Sequence, residues 1–118
     1  STNTNYEKLN KTFRYNMKSN ELYDTTRGIW RIAKSQQRII THAFAVYDGI
    51  IQDTYKIEGW FNPDETFTSI DTSKWTKDNR YEFIGNICET MRKKYRYKSV
   101  EHYWTSGNRN PIRYTFSI

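Results

Sequence analysis

Ala43-Phe44-Ala45-Val46-Tyr47-Asp48-Gly49-Ile50-Ile51-Gln52-Asp53-Thr54-Tyr55-Lys56-Ile57 is the stretch that decides the fold. An apolar run of strand length meets a second run across Asp48-Gly49. Both turn residues tolerate positive φ, so a two-residue loop between such runs predicts a tight β-hairpin. After Ile51 the second arm alternates. Asp53, Tyr55 and Ile57 fall on one face, and Gln52, Thr54 and Lys56 on the other. The arm ends at Gly59-Trp60-Phe61-Asn62-Pro63, a cluster of strand breakers.

Towards the N-terminus, residues 29–33 predict a brief strand, and residues 36–40 a connector. A short helix is expected over residues 21–26, capped by Ser19 or Asn20 and stopped at Gly28. The first 18 residues or so are polar and irregular, with Tyr6, Leu9 and Phe13 spaced for one helical turn. Towards the C-terminus, residues 62–79 form a long polar loop interrupted by Trp75; a loop of that length in a small domain is usually functional or mobile. A strand is expected over 81–85, a helix over 88–95, a turn over 106–111 and a closing strand over 112–118. Ile112, Tyr114, Phe116 and Ile118 share one face of that last strand. The sum is one α+β domain over residues 1–118: a curved β-sheet or small β-barrel with two or three short helices.

Composition narrows the function. Twenty of the 118 residues are aromatic, and 19 Lys and Arg stand against 13 Asp and Glu. The mean hydropathy of −0.99 is low, but disordered chains are poor in large rings and this one is not. A net charge of +6 favours polyanionic partners. The single Cys88 excludes an internal disulfide and a cysteine-based zinc site. No apolar run has transmembrane length, and the polar start carries no signal-peptide pattern, so a cytoplasmic protein with no membrane partner is expected. The chain begins without Met, which raises the expectation of a larger parent protein with further domains.

Catalytic patterns are weak. His42 and His102 are too far apart for a His-x-x-x-His site, the five glycines form no phosphate loop, and Gly-x-Ser-x-Gly is absent. Asp48, Asp53 and Glu58 cluster on the hairpin with Lys56, but the pleat puts Asp53 and Lys56 on opposite faces, against a shared nuclease site. No catalytic residue, metal or cofactor is therefore assigned.

Rings and cations are interleaved instead. Trp30 lies among Arg27, Arg31 and Lys34, and Tyr95 and Tyr97 lie inside the run from Arg92 to Lys98. Rings offer stacking surfaces and cations offer phosphate contacts, which is the pattern of a nucleic-acid binder. Trp30 is the first candidate for a pocket wall, followed by Trp60 and Trp75. Arg27, Arg31, Lys34, Lys93, Lys94, Arg96, Lys98, Arg109 and Arg113 are candidate phosphate contacts. Asn108 and Asn110 could present amides to a base edge, although Asn in such a turn usually serves the backbone. Trp104 reads as core.

Four segments carry a family resemblance: Leu22-Tyr23-Asp24-Thr25-Thr26-Arg27-Gly28-Ile29-Trp30-Arg31, Ala43 to Ile51, Tyr55-Lys56-Ile57-Glu58-Gly59-Trp60, and Tyr97-Lys98-Ser99-Val100 with Asn110-Pro111-Ile112-Arg113-Tyr114. In content and order the chain resembles the PUA-like superfamily, which includes the PUA, ASCH, EVE, YTH and SRA-type domains. The resemblance implies a curved barrel that binds nucleic acid, DNA more than RNA, and that takes a flipped or modified base into an aromatic pocket. Its implied setting is a restriction or defence system. A protein-interaction module is one alternative, since Trp, Tyr and Arg also dominate interface hot spots. A small metal-dependent nuclease or toxin is another.

Overall fold

A computed structural model describes residues 4–8, 17–100 and 112–116, with side chains described for 17–100 and 113–116. Its centre is the Asp-Gly hairpin. Strands β2 (His42–Tyr47) and β3 (Ile50–Phe61) pair antiparallel, with Tyr47 opposite Ile50. Asp48 and Gly49 both have positive φ, 50° and 75°, as the tight hairpin turn requires. The register shifts between Ala45 and Val46: Ala45 faces Asp53 but Val46 faces Ile51. This bulge puts Ile51 on the opposite face from Asp53 and Tyr55.

The sheet grows outward from the hairpin. Strand β4 (Glu82–Ile87) joins the far half of β3, and β5 (Ile112–Phe116) joins β2. Outside β5 lies β1 (Thr4–Lys8), which gives the order β1-β5-β2-β3-β4 in an open antiparallel sheet. With α1 (Ser19–Arg27), α2 (Lys34–Gln37) and α3 (Glu89–Tyr95), the class is α+β. Two expectations are corrected. Part of the N-terminal stretch is a strand, because the backbone of β5 offers it a ladder. Residues 29–33 do not form a strand, because only Trp30 reaches a partner, Tyr81. No helix among the described residues is long and apolar enough to cross a membrane.

Period-two alternation sorts the core onto two faces. Ala43, Ala45, Tyr55 and Phe83 lie under α1 and the segment that carries Trp30, Ile32 and Ile40. Two alanines there leave room for the Trp30 indole, which is 0 % exposed. Phe44, Val46, Ile51, Tyr114 and Phe116 pack on the other face beneath Met91 and Tyr95 of α3.

Because β4 begins its pairing at Tyr55, the first residues of β3 would be left as a bare edge. The chain after α3 covers it: Tyr97 N–H donates to the Ile51 carbonyl (2.7 Å) and Ile51 N–H to the Lys98 carbonyl (2.9 Å).

Helix α1 ends without a left-handed glycine, since Gly28 is extended at φ −128°. Arg113 takes over its C-terminal carbonyls. The guanidinium donates to the oxygens of Thr25 (3.1 Å), Thr26 (3.0 Å), Gly28 (2.6 Å) and Ile29 (2.7 Å), and lies 4.2 Å from the centre of the Trp30 ring. A cation at a helix C-terminus also offsets the helix dipole there.

A second buried network pins the polar loop. Arg27 Nε donates to Asp24 Oδ1 at 2.8 Å, and its terminal nitrogens reach the Thr66 hydroxyl, the Glu82 carboxylate and the carbonyls of Phe67 and Phe83. Glu82 accepts from the Asp64 and Thr66 N–H groups and from the Thr66 hydroxyl, and Asp24 Oδ2 accepts from Ser69 N–H (2.8 Å) and Oγ (2.6 Å). The long loop is therefore tied to α1 and β4 at several points.

His42 supplies a pH dependence. Its ring stacks on Phe116 at 5.4 Å, and burial, followed by the Lys56 ammonium, lowers its pKa below the ordinary imidazole value. The unfolded chain then binds a proton that the folded chain refuses. His42 stabilises fully above about pH 6.5, and that contribution drains away as pH falls towards the lowered folded value. Urea unfolding across this range should show a stability slope that His42→Gln reduces. An unchanged slope in the variant would refute the assignment.

Candidate functional site

The backbone bridge between Trp30 and Tyr81 shapes one end of the molecule. Trp30 N–H donates to the Tyr81 carbonyl at 2.6 Å and Tyr81 N–H to the Trp30 carbonyl at 2.9 Å. This holds the chain leading into α2 beside the far end of β3, where Trp60 pairs with Phe83 and Phe61 with Glu82. Between them opens a groove of about 540 Å³.

Three rings line it: Trp60 and Phe61 from β3, and Tyr81. Phe61 is 38 % exposed, while Trp60 is half-buried and meets Phe83 edge-on at 5.5 Å. Lys34 and Gln37 of α2 line it too, with Arg38 just after the helix. Asn62 and Glu65 close the end, where Glu65 Oε1 accepts the Asn62 N–H at 2.8 Å. Two cations and one carboxylate thus share a ring-lined groove. The Trp60 Nε1–H is buried and has no hydrogen-bond acceptor among the described residues. Such a donor costs about 1–3 kcal/mol until something accepts from it.

The expected site residues scatter. Lys34 and Trp60 come together in this groove. Trp30 does not line it: the indole is wholly buried, with Nε1–H donating to the Thr26 carbonyl at 2.9 Å. It is a core residue whose backbone, not its ring, builds the site. Arg27 and Arg113 are likewise corrected, being 2 % and 1 % exposed and committed to carboxylates and carbonyls inside the fold. Arg31 is exposed but does not line the groove. Trp75 tacks the polar loop down, its Cζ3 sitting where it would touch a Cβ on Gly28 at 3.6 Å.

The basic run divides by helical position. Arg92 and Arg96 turn inward to the buried Asp53, at 3.1 Å and 4.0 Å, and Arg96 Nε donates to the Gln52 carbonyl at 2.9 Å. Lys93, Lys94 and Lys98 are exposed. Trp104, His102, Asn108, Asn110 and Arg109 lie outside the described residues.

The hairpin carboxylates do not converge on a metal. Asp53 is held by the two arginines, and among the described residues no group of three His, Cys, Asp or Glu is placed to bind an ion. Burial, then the nearby Asp53 charge, raises the Tyr55 pKa well above its usual value, so its hydroxyl stays protonated.

Tyr81, Phe61, Gln37 and Arg38 were missed in the sequence. The tandem Trp60-Phe61 before Asn62-Pro63 was the available signal, since two successive rings on a strand cannot both face one core. Nothing local marks Tyr81 or Arg38. No family model, no curated protein and no solved structure matches the chain.

Proposed function

We propose that this chain is a nucleic-acid-binding recognition domain of PUA-like type, acting on DNA, with the Trp60 groove as its reading site. One observation carries the reading: three rings and two cations, drawn from separate segments, line a single groove. A base taken from its stack loses a few kcal/mol, and ring stacking at about 1–3 kcal/mol per base offsets that. Lys34 and Arg38 would meet the flanking phosphates, and Trp60 Nε1–H could reach a base acceptor after a small shift. A modified base in the DNA of a restriction or defence system is the proposed ligand.

Trp60→Ala should weaken binding to duplex oligonucleotides carrying the preferred base by about five- to a hundredfold, the worth of one stacked base. Lys34→Gln and Arg38→Gln should each lower the slope of log affinity against log salt by about one. A panel of modified and unmodified duplexes, titrated at low and physiological salt, tests both. Undiminished affinity in Trp60→Ala, with circular dichroism showing a folded protein, would sink the groove assignment.

Phe67 favours a second reading, the protein-interaction module. It is 86 % exposed on the pinned loop, near Asp64, Glu65 and Asp71. Binding that is insensitive to salt and lost in Phe67→Ser would select that reading over nucleic acid.

A further inference from the structure

Tyr97 occupies a place where a helix usually puts glycine. Arg96 is the C-cap of α3, and Tyr97, the next residue, has φ +67°. The left-handed conformation is enforced by the sheet edge. Tyr97 N–H is bound to Ile51, and the Lys98 carbonyl accepts from Ile51 in return. The ring gains no core contact from this arrangement, because it is 65 % exposed. The Arg96 guanidinium lies 4.7 Å from its centroid, covering one face, and is itself held by the Gln52 carbonyl and Asp53. Most of the residue remains exposed to solvent. Lys98 follows it directly, and the exposed Lys93 and Lys94 lie three to four residues before it, with Lys94 Nζ 5.3 Å from the Tyr95 ring centroid.

We propose that Tyr97 is a second, preorganised stacking platform, and that its ligand is an unpaired base of single-stranded nucleic acid. A flat, immobilised ring backed by a guanidinium needs a partner with a free π-face. Bases inside a duplex have none, because their neighbours cover both faces, whereas every base of a single strand has one. The three lysines match the phosphates of such a strand and disfavour a basic or neutral protein surface. The patch is also separate from the groove. Tyr97 pairs with the start of β3 and Trp60 lies near its end, nine residues away, or about 30 Å of strand. Changes at the two places should therefore combine additively in free energy. This inference rests on the nucleic-acid reading, but not on the groove.

The test is fluorescence anisotropy on the full chain with a fluorescent oligo(dT) of about 20 nucleotides and a blunt duplex of equal length, at about 50 and 200 mM salt. Tyr97→Ala should weaken oligo(dT) binding about five- to a hundredfold, with its salt slope unchanged and duplex binding within about twofold. Tyr97→Phe should bind oligo(dT) like the parent. Tyr97→Gly, which suits positive φ, should melt at a higher temperature yet bind oligo(dT) as poorly as Tyr97→Ala. That pairing of gained stability with lost binding is one a structural role cannot produce. Parent-like oligo(dT) binding by Tyr97→Ala overturns the proposal, and so does an equal loss on oligo(dT) and duplex. If Trp60→Ala weakens binding while Tyr97→Ala does not, the platform falls and the groove stands. The reverse result removes the groove and keeps the platform. A parent protein that binds neither probe overturns both.

Discussion

Arg113→Met is expected to remove about 3–5 kcal/mol of folding stability, a large share of what a domain of this size has. The cause is the set of carbonyls the guanidinium serves. Four oxygens at the end of α1 accept from it, and all belong to buried residues. A buried carbonyl left without a donor costs about 1–3 kcal/mol, although the Thr26 oxygen keeps the Trp30 indole Nε1–H. Relief of the desolvation penalty on the buried cation returns several kcal/mol, so the net is smaller than the sum. Urea unfolding followed by tryptophan fluorescence should show the midpoint falling by roughly 2 M at a typical slope of about 2 kcal/mol per M. Arg113→Lys should recover only part of the loss, because a compact ammonium cannot reproduce the flat fork of donors. A loss under about 1 kcal/mol in the Met variant would mean that water or a rearranged α1 terminus satisfies those carbonyls equally well.

The second large effect concerns Trp30. Trp30→Ala should cost about 3–5 kcal/mol, since it empties the volume the two alanines of β2 leave free. The acceptor at Thr26 also loses its indole donor. Under the proposed function, DNA affinity per folded molecule should nevertheless stay near the parent value, because the hydrogen bonds from Trp30 to Tyr81 are made by the backbone. Trp30→Phe, which keeps most of the apolar area, should be folded well enough to make that comparison clean, at a cost of about 1–3 kcal/mol. A Trp30→Phe protein of near-parent stability that no longer binds DNA would restore the ring to the site.

The sequence is legible where its signals are local. The hairpin was legible because Asp48-Gly49 needs only its own two φ angles, and the alternation of β5 was legible because period two is local. The helix at 89–95 followed for the same reason. The site was less legible. Trp60 and Lys34 were recognised as site residues, but Tyr81 and Arg38 enter the groove only because Trp30 bridges to Tyr81 across some fifty residues of chain. The motif around Trp30 misled in an instructive way. Rings flanked by arginines mark a nucleic-acid surface when the cations face water, yet the same letters describe Arg27 held between Asp24 and Glu82.

By itself, then, the sequence determined the α+β class, the central hairpin and its turn, and a basic, ring-rich chain suited to a polyanion. Those properties depend on neighbouring φ angles, on short-range alternation and on total charge. Only the tertiary structure decided which cations are free to meet a ligand. Arg113 finds the Thr25 carbonyl 88 positions away, and Arg27 finds Glu82 at a separation of 55. A guanidinium buried inside the fold cannot reach a phosphate, and composition cannot distinguish it from the exposed Lys93, Lys94 and Lys98.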